Sequence, residues 1–223
     1  MSATLDLAVP PDPTIPATTD AEVADTFGYG ASTALLVVDV QHDFAHPDGG
    51  LYVPGGDDVV AVCNAHIAAA RGAGSPVHYT QDWHPPRTPH FDIDGGLWPV
   101  HCIADTWGAQ LHAGLDVPFG ASIIRKGVDG SDGYSGFSVQ DPVSGATAPT
   151  QLSGRLAADG VARVIVTGLA GDVCVKATAL DAVDLGFQVA VPLAATRMVE
   201  REPGDGERAI AELQTAGVEV IDA

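Results

Sequence analysis

Basic residues are scarce in this sequence. Its 223 residues include 10 Lys and Arg against 29 Asp and Glu, which gives a formal net charge of −19 at pH 7. Because a chain this acidic is repelled by phosphate backbones and by anionic lipid headgroups, we predict that it has no nucleic-acid partner and does not bind a membrane surface. The charge itself is typical of a protein that stays in solution at high concentration.

Long apolar runs and cysteine are scarce as well. No stretch of about 18 apolar residues is present to span a bilayer, and the first residues lack the basic and apolar regions of a secretory signal. Cys63, Cys102 and Cys174 are an odd number of cysteines at wide spacings, which fits reduced thiols better than a disulfide framework. We therefore expect a cytoplasmic protein.

The first part of the chain has no sustained hydrophobic period. Residues Met1 to about Gly30 include a proline-rich polar stretch from Pro10 to Pro16, so we predict an extended or disordered arm at residues 1–30. Such an arm is suited to wrapping a partner subunit, which makes a homo-oligomer one expectation. Residues 31–223 are predicted to form a single domain, since α/β domains of roughly 200–250 residues are ordinary.

Six short apolar segments alternate with segments of helical periodicity through the rest of the chain, starting with Ala34 to Val38. This alternation predicts a doubly wound α/β fold: a mainly parallel six-stranded sheet with helices on both faces. Ligands of such sheets bind beyond the carboxyl ends of the strands. The predicted strand ends carry four reactive side chains: Asp39, Asp82, Lys126 and, just beyond the fourth strand, Cys174. We expect them to form one site.

Cys174 follows a glycine-punctuated turn and begins a segment with helical periodicity. A thiol near a helix N-terminus can have its pKa depressed below the free value of roughly 8.5, which makes it a nucleophile. Asp39 could accept its proton, Lys126 could favour the thiolate and an oxyanion, and N–H groups of the loop Gly168 to Asp172 could hold that oxyanion. The alternatives are a buried structural cysteine and a structural Asp39–Lys126 salt bridge.

A candidate metal site lies in the long irregular stretch from Asp82 to about Leu115. Asp82 and His84 face the same side of an extended segment, His90 and His101 follow in the same loop, and His101 could complete a two-histidine, one-carboxylate set. Zinc, iron and manganese all suit these donors, so we expect one divalent transition metal ion and leave its identity open. A lone histidine would more often have a surface or hydrogen-bonding role.

Three aromatic residues accompany these groups. Phe44 follows the first predicted strand, Trp98 precedes His101, and Tyr134 follows Lys126. Each alone would more often pack in the core, but together they could form the walls of a pocket for a small, flat substrate.

The motifs resemble those of the isochorismatase-like cysteine hydrolases, specifically the nicotinamidase (pyrazinamidase) branch. The resemblance covers about Thr33 to Ala223, and five motifs carry it in order: Val38 to Phe44, Asp82 to Pro85 with His90, Trp98 to Cys102, Lys126-Gly127 with Gly133 to Phe137, and Gly168 to Thr178. Three features depart from the family pattern: the residues after His90 lack the usual serine, Gly171 replaces a bulkier residue, and Val139 to Pro149 is longer than usual.

The resemblance implies a role for each matched position. Asp39, Lys126 and Cys174 correspond to the catalytic triad, and a cis peptide between Leu169 and Ala170 would turn the N–H groups of Ala170 and Cys174 toward the oxyanion. Asp82, His84 and His101 correspond to the metal ligands, with His90 a supplementary ligand in some members. Phe44 and Trp98 correspond to the aromatic walls of the nicotinamide pocket.

The activity implied by the resemblance is that of a metal-containing amidohydrolase. It would convert a small-molecule amide, nicotinamide, to nicotinate and ammonia through a thioester, as a step of NAD salvage. A related enzyme acting on another small amide, such as a maleamate-like or ureide substrate, remains an alternative. A non-haem iron oxygenase uses the same ligand set but would leave Cys174, Asp39 and Lys126 idle. The last alternative is a non-catalytic relative that binds a metal.

Overall fold

The structure, a computed structural model, describes residues 19–222, which form a sheet between two layers of helices. Its strands are β1 Thr33–Val38, β2 Val77–Asp82, β3 Ser122–Lys126, β4 Ser138–Gln140, β5 Thr147–Pro149, β6 Arg163–Leu169, β7 Gln188–Pro192, β8 Thr196–Arg197 and β9 Glu219–Ile221. Its α-helices are α1 Asp20–Phe27, α2 His42–Ala45, α3 Gly56–Gly72, α4 Leu152–Ala158, α5 Lys176–Asp184 and α6 Asp205–Thr215.

The central sheet has the order β3-β2-β1-β6-β7-β9, and every pairing in it is parallel. The doubly wound, mainly parallel architecture predicted from the sequence is thereby confirmed. The prediction of six strands is corrected to seven, because the short β8 pairs with the carboxyl end of β6. Two residues are too few to produce a hydrophobic period, so the sequence pattern did not indicate this strand.

The strand order reverses between β1 and β6. From β1 the chain builds outward through β2 to β3, and then returns to the other side of β1 to form β6. Such a switch point opens a crevice at the carboxyl ends of the two central strands. The residues that come after β1 and β6 therefore lie at the centre of the binding edge.

The core has two parts, one on each face of the sheet. Successive residues of β1 alternate between them, with Leu35 and Val37 in the part beneath α1 and α3, and Leu36 in the part beneath α4, α5 and α6. All six residues of β1 are buried, as expected for a central parallel strand covered on both faces.

The prediction of an extended or disordered arm at residues 1–30 is wrong for residues 20–27. Asp20–Phe27 is a helix whose N-terminus carries a capping box between Thr19 and Glu22, and Gly28 ends it with φ +65°. Val23 and Phe27, one turn apart, are buried against α3. The Thr-x-x-Glu pattern from Thr19 to Glu22 is the sequence signal for the start of this helix. Residues 1–18, including the proline-rich stretch, lie outside the described residues.

Two long connections between the strands differ in regular structure: one is an irregular loop and the other contains a β-hairpin. The stretch from Asp82 to Leu115 has only one short 3₁₀ turn, Asp92–Asp94, which agrees with the irregular loop expected there. The segment Val139 to Pro149 lies mostly in an antiparallel hairpin of β4 and β5. Between residues 19 and 222, no helix has the length and apolar character needed to cross a membrane.

Candidate active site

Cys174 lies directly beyond the carboxyl end of β6. The chain leaves β6 at Leu169, forms a π-helical turn over Gly171–Val175, and continues into α5. The thiol is buried, with an exposed fraction of 6%. Burial raises the pKa of Cys174 well above its ordinary value, against the opposing effect of Lys126. The depression of the pKa that was expected near a helix N-terminus is therefore corrected, because burial raises this pKa instead. The resting residue is a thiol that needs a base.

Asp39 is placed to be that base. It follows β1 in a left-handed conformation, φ +48°, and its carboxylate accepts a hydrogen bond of 2.5 Å from Thr80 Oγ1. One carboxylate oxygen of Asp39, one of Asp82 and the Cys174 Sγ all lie within 4.8 Å of one another. Burial raises the pKa of Asp39 to about 6, although the Lys126 ammonium opposes this shift. A carboxylate with this pKa can both take and return a proton near neutral pH.

Lys126 joins the other members of the cluster. Its Nζ is 2.7 Å from Asp39 Oδ2, 2.8 Å from Asp82 Oδ1 and 3.7 Å from Cys174 Sγ. Burial alone would lower the pKa of Lys126, but the two carboxylates outweigh it and raise that pKa well above its ordinary value. The side chain is fully buried and remains an ammonium, so it can stabilise a thiolate.

Asp82, His84 and His101 converge beside this cluster. Asp82 Oδ2 is 3.9 Å from His84 Nε2 and 4.0 Å from His101 Nε2. Donor atoms bound to one transition metal at about 2.1 Å lie about 3 to 4 Å apart, so these separations suit a shared ion. His84 Nε2 is buried and has no hydrogen-bond partner among the described residues, which is costly unless another group fills the site. The donor set therefore fits a divalent metal.

The protonation states of these residues suit metal binding. Burial lowers the pKa of His84 to about 4 and also lowers that of His101, so both imidazoles are neutral. Burial alone would raise the pKa of Asp82, but Lys126 and the two histidines lower it to about 2. His101 Nδ1 contacts the Pro99 carbonyl oxygen at 2.7 Å, which leaves Nε2 as the unprotonated nitrogen that faces Asp82.

His90 joins the same group of donors. One ligand atom each of His84, His90 and His101 lies within 4.8 Å of the other two. The rings of His84 and His90 are stacked, with centroids 4.7 Å apart. The structure thus groups the three predicted histidine ligands, and Asp82 contacts two of them, His84 and His101.

The predicted aromatic residues line one cavity above Cys174. Phe44, Trp98 and Tyr134 are all in its wall, together with Ala170, and Trp98 Nε1–H donates a hydrogen bond of 3.0 Å to the Tyr134 hydroxyl. The empty space is about 360 Å³, including its opening to solvent. Apart from Asp82, Cys174 and the two histidines His90 and His101, its lining is apolar or aromatic, so it suits one small flat molecule with few polar groups.

Comparison with known proteins identifies the family. The model of the isochorismatase domain matches residues 33–223. A nicotinamidase of Escherichia coli strain K12 is 38% identical over 201 residues, which cover 82% of this chain and 92% of the relative. The chain belongs to the isochorismatase family. The resemblance inferred from the motifs is therefore confirmed.

Similarity to solved structures agrees with this assignment. The pyrazinamidase of Pyrococcus horikoshii in complex with zinc superimposes with a TM-score of 0.76 at 37% identity, covering 86% of this chain and 99% of its own. PnC1 from L. infantum in complex with nicotinate gives a TM-score of 0.78 at 37% identity, covering 87% and 94%.

The structure shows two features of the turn before Cys174 that the family resemblance pointed to: the glycine at position 171 and the cis peptide bond at Leu169–Ala170. At Gly171, a Cβ atom would lie 2.5 Å from Met198 Sδ, so the methionine side chain occupies the space that a larger residue would need. The Leu169–Ala170 peptide bond is cis, as the family resemblance implied.

Several residues that support the site were not identified from the sequence. The Gln41 side chain accepts from the Asp82 N–H and donates to the Asp82 carbonyl, each at 2.8 Å. Asp172 accepts the N–H groups of Val199 and Glu200 at 2.8 and 2.9 Å, which fixes a segment of the cavity wall. No sequence pattern distinguishes Gln41 or Asp172 from other amides and carboxylates of the chain. Their hydrogen-bond partners are distant in sequence and become neighbours only in the folded protein.

Proposed function

We propose that this protein is a metal-containing cysteine amidohydrolase that converts nicotinamide to nicotinate and ammonia. One observation carries the proposal: the thiol of Cys174, paired with Lys126 and within reach of Asp39, opens into an aromatic cavity beside a set of imidazoles. Similarity to nicotinamidases supports the choice of a pyridine amide over other small amides. This function would place the protein in NAD salvage.

The first half of the reaction forms a thioester. Asp39 takes the proton of Cys174, and Lys126 stabilises the thiolate, which attacks the carboxamide carbon. The oxyanion would be held by the N–H groups of Ala170 and Cys174. Asp39 then gives its proton to the departing nitrogen, so that ammonia leaves and the acyl group stays on sulfur.

The second half of the reaction hydrolyses that thioester. Asp39, again ionised, takes a proton from water as the water oxygen attacks the thioester carbon. Collapse of the adduct breaks the carbon–sulfur bond and releases nicotinic acid, which loses its proton to solvent to give nicotinate. The proton held by Asp39 returns to Cys174, which restores the resting thiol.

The residues that would hold the metal are Asp82, His84 and His101, with His90 as a further donor. When bound there, a divalent ion would supply Lewis acidity toward water and an anchor for the pyridine nitrogen. Phe44 and Trp98 would enclose the ring and exclude bulk water. These residues orient the amide toward Cys174.

The test is ammonia release from nicotinamide under anaerobic conditions by the wild type, Cys174→Ala and Cys63→Ala. Anaerobic turnover separates a hydrolase from an oxygenase. We expect activity in the wild type, loss of at least about a thousandfold in Cys174→Ala because the nucleophile is missing, and near wild-type turnover in Cys63→Ala. Cys63 is a matched control because it is also buried, but it lies on the core-facing side of α3 and does not line the cavity.

Two results would contradict the proposal. More than a few per cent of activity in Cys174→Ala would exclude the thioester. A preference for maleamate or a ureide over nicotinamide would keep the cysteine chemistry and assign the protein to another branch of the family.

A further inference from the structure

His90 makes a contact that the other two histidines of the site lack. Its Nδ1 is 2.8 Å from Asp132 Oδ1, and the imidazole is buried. Asp132 lies in the loop between β3 and β4, and its side chain is 28% exposed. The carboxylate therefore reaches the back of a candidate metal ligand from the rim of the site.

The Nδ1 atoms of the three imidazoles, which we call the outer nitrogens, have three different environments. That of His101 contacts a backbone carbonyl, and that of His84 has no hydrogen-bond partner among the described residues. His84 Nδ1 faces Gly127, where a Cβ atom would lie only 2.5 Å away. Among the three, His90 alone depends on a side chain, so its support can be removed by substitution without changing the ligands.

A carboxylate on the outer nitrogen has two effects on a histidine ligand. It holds the proton on Nδ1, so that the Nε2 lone pair faces the metal, and it increases the basicity of the ring. The His90 ring centroid is 4.7 Å from that of His84 and 5.2 Å from that of His101, and one ring nitrogen of His90 lies within 4.8 Å of a ring nitrogen of each. Asp132 therefore controls both the tautomer and the orientation of His90.

The position of Asp132 is itself fixed by the hairpin. Its N–H and C=O form two hydrogen bonds of 2.6 Å with the backbone of Gln140, the last residue of β4. Its Oδ1 also accepts the Gly133 N–H at 2.7 Å. The β4–β5 hairpin, which is the segment longer than usual for the family, thus connects to His90 through one residue.

We propose that Asp132 is a positioning residue that fixes His90 as the fourth metal ligand, and that the β4–β5 hairpin holds Asp132 in place. The inference rests on the proposed function only in requiring that a metal bind at Asp82, His84 and His101. It gives the unusual hairpin a role in the metal site.

The experiment is a titration of the metal-free full-length protein with Co²⁺, measuring affinity by competition and coordination by visible absorption. We expect Asp132→Asn, which keeps the shape and removes the charge, to weaken Co²⁺ binding by about 10- to 100-fold. Asp129→Asn makes the same charge change on an exposed residue of the same loop and should stay within about twofold of the wild type. Circular dichroism checks the folding of each variant.

His90→Gln completes a double-mutant cycle. If Asp132 acts through His90, Asp132→Asn should have no further effect on Co²⁺ affinity in the His90→Gln background. Equal affinities of Asp132→Asn and Asp129→Asn, or a full effect of Asp132→Asn without His90, would overturn the inference and leave the metal site intact. Failure of the wild type to bind Co²⁺ would instead overturn the metal site, and this inference with it.

Discussion

Two buried carboxylates of the site have pKa values shifted in opposite directions although they share one lysine. That of Asp39 is raised to about 6 by burial, whereas Asp82, which also faces His84 and His101, has its pKa lowered to about 2. The difference arises from the number of cationic or protonatable neighbours, because both side chains are buried. Asp39 is suited to carry a proton, and Asp82 is suited to remain an anion that binds a metal.

Trp98 is the residue that tests the substrate most directly. Loss of its stacking contribution, on the order of 1 kcal/mol, and of its buried area should lower kcat/KM for nicotinamide at least about tenfold in Trp98→Ala. Pyrazinamide keeps the ring nitrogen meta to the carboxamide and should be hydrolysed by the wild type. Benzamide lacks it and should be a poor substrate. Steady-state kinetics with the three amides measures these effects.

Trp107→Ala is the matched control for that experiment. Trp107 is 47% exposed and packs on His42, outside the cavity, so its removal should change kcat/KM by less than about twofold. If benzamide were hydrolysed as well as nicotinamide, or if Trp98→Ala matched Trp107→Ala, the pyridine pocket would be wrong.

At the scale of elements, the long periodic segments were predictable and the short ones were not. Strand β1 and the strand–turn–helix around Cys174 could be predicted from local sequence patterns alone. The side-chain period identifies the strands, and the chain direction shows which residues lie at their carboxyl ends. The contact from Asp132 to His90 depends on a hairpin register set at Gln140. No sequence spacing encodes that register, because it arises from the meeting of two loops.

A contact between α3 and the turn that follows α1 gives a prediction about stability. Tyr29 hydroxyl is 2.9 Å from His66 Nδ1, and burial lowers the pKa of His66 from 6.5 to about 4. Between these values the unfolded chain binds a proton that the folded protein does not, so this contribution to stability is complete above pH 6.5 and is lost as the pH falls. The wild type should lose about 2 kcal/mol through this histidine between pH 7.5 and pH 5.0.

His66→Gln keeps a polar side chain that can accept from Tyr29 but cannot titrate in this range. Free energies of unfolding from urea titrations of both proteins at the two pH values isolate the His66 effect, because the other histidines contribute equally to each. The advantage of the wild type over His66→Gln should shrink by about 2 kcal/mol at the lower pH. A constant difference would show that the pKa of His66 is the same in the folded and the unfolded protein.

At the scale of the whole molecule, topology and charge act separately. The switch point between β1 and β6 brings Asp39 and Cys174 together, and the outward order β2, β3 adds Asp82 and Lys126 to the same edge. The net charge of −19 contributes nothing to this geometry. It does affect the stability of the folded state, since like charges on a compact surface repel one another.

Salt should therefore affect stability and catalysis differently. Raising KCl from about 50 to about 500 mM shortens the screening length and reduces self-repulsion, so the Tm should rise. Under the proposed function the substrate is uncharged, no long-range attraction guides it to the site, and kcat/KM should change by less than about twofold over the same range. Thermal unfolding and initial rates in one KCl series measure both quantities. A falling Tm would mean that surface ion pairs outweigh the repulsion, and a steep salt dependence of kcat/KM would indicate a charged substrate, which nicotinamide is not.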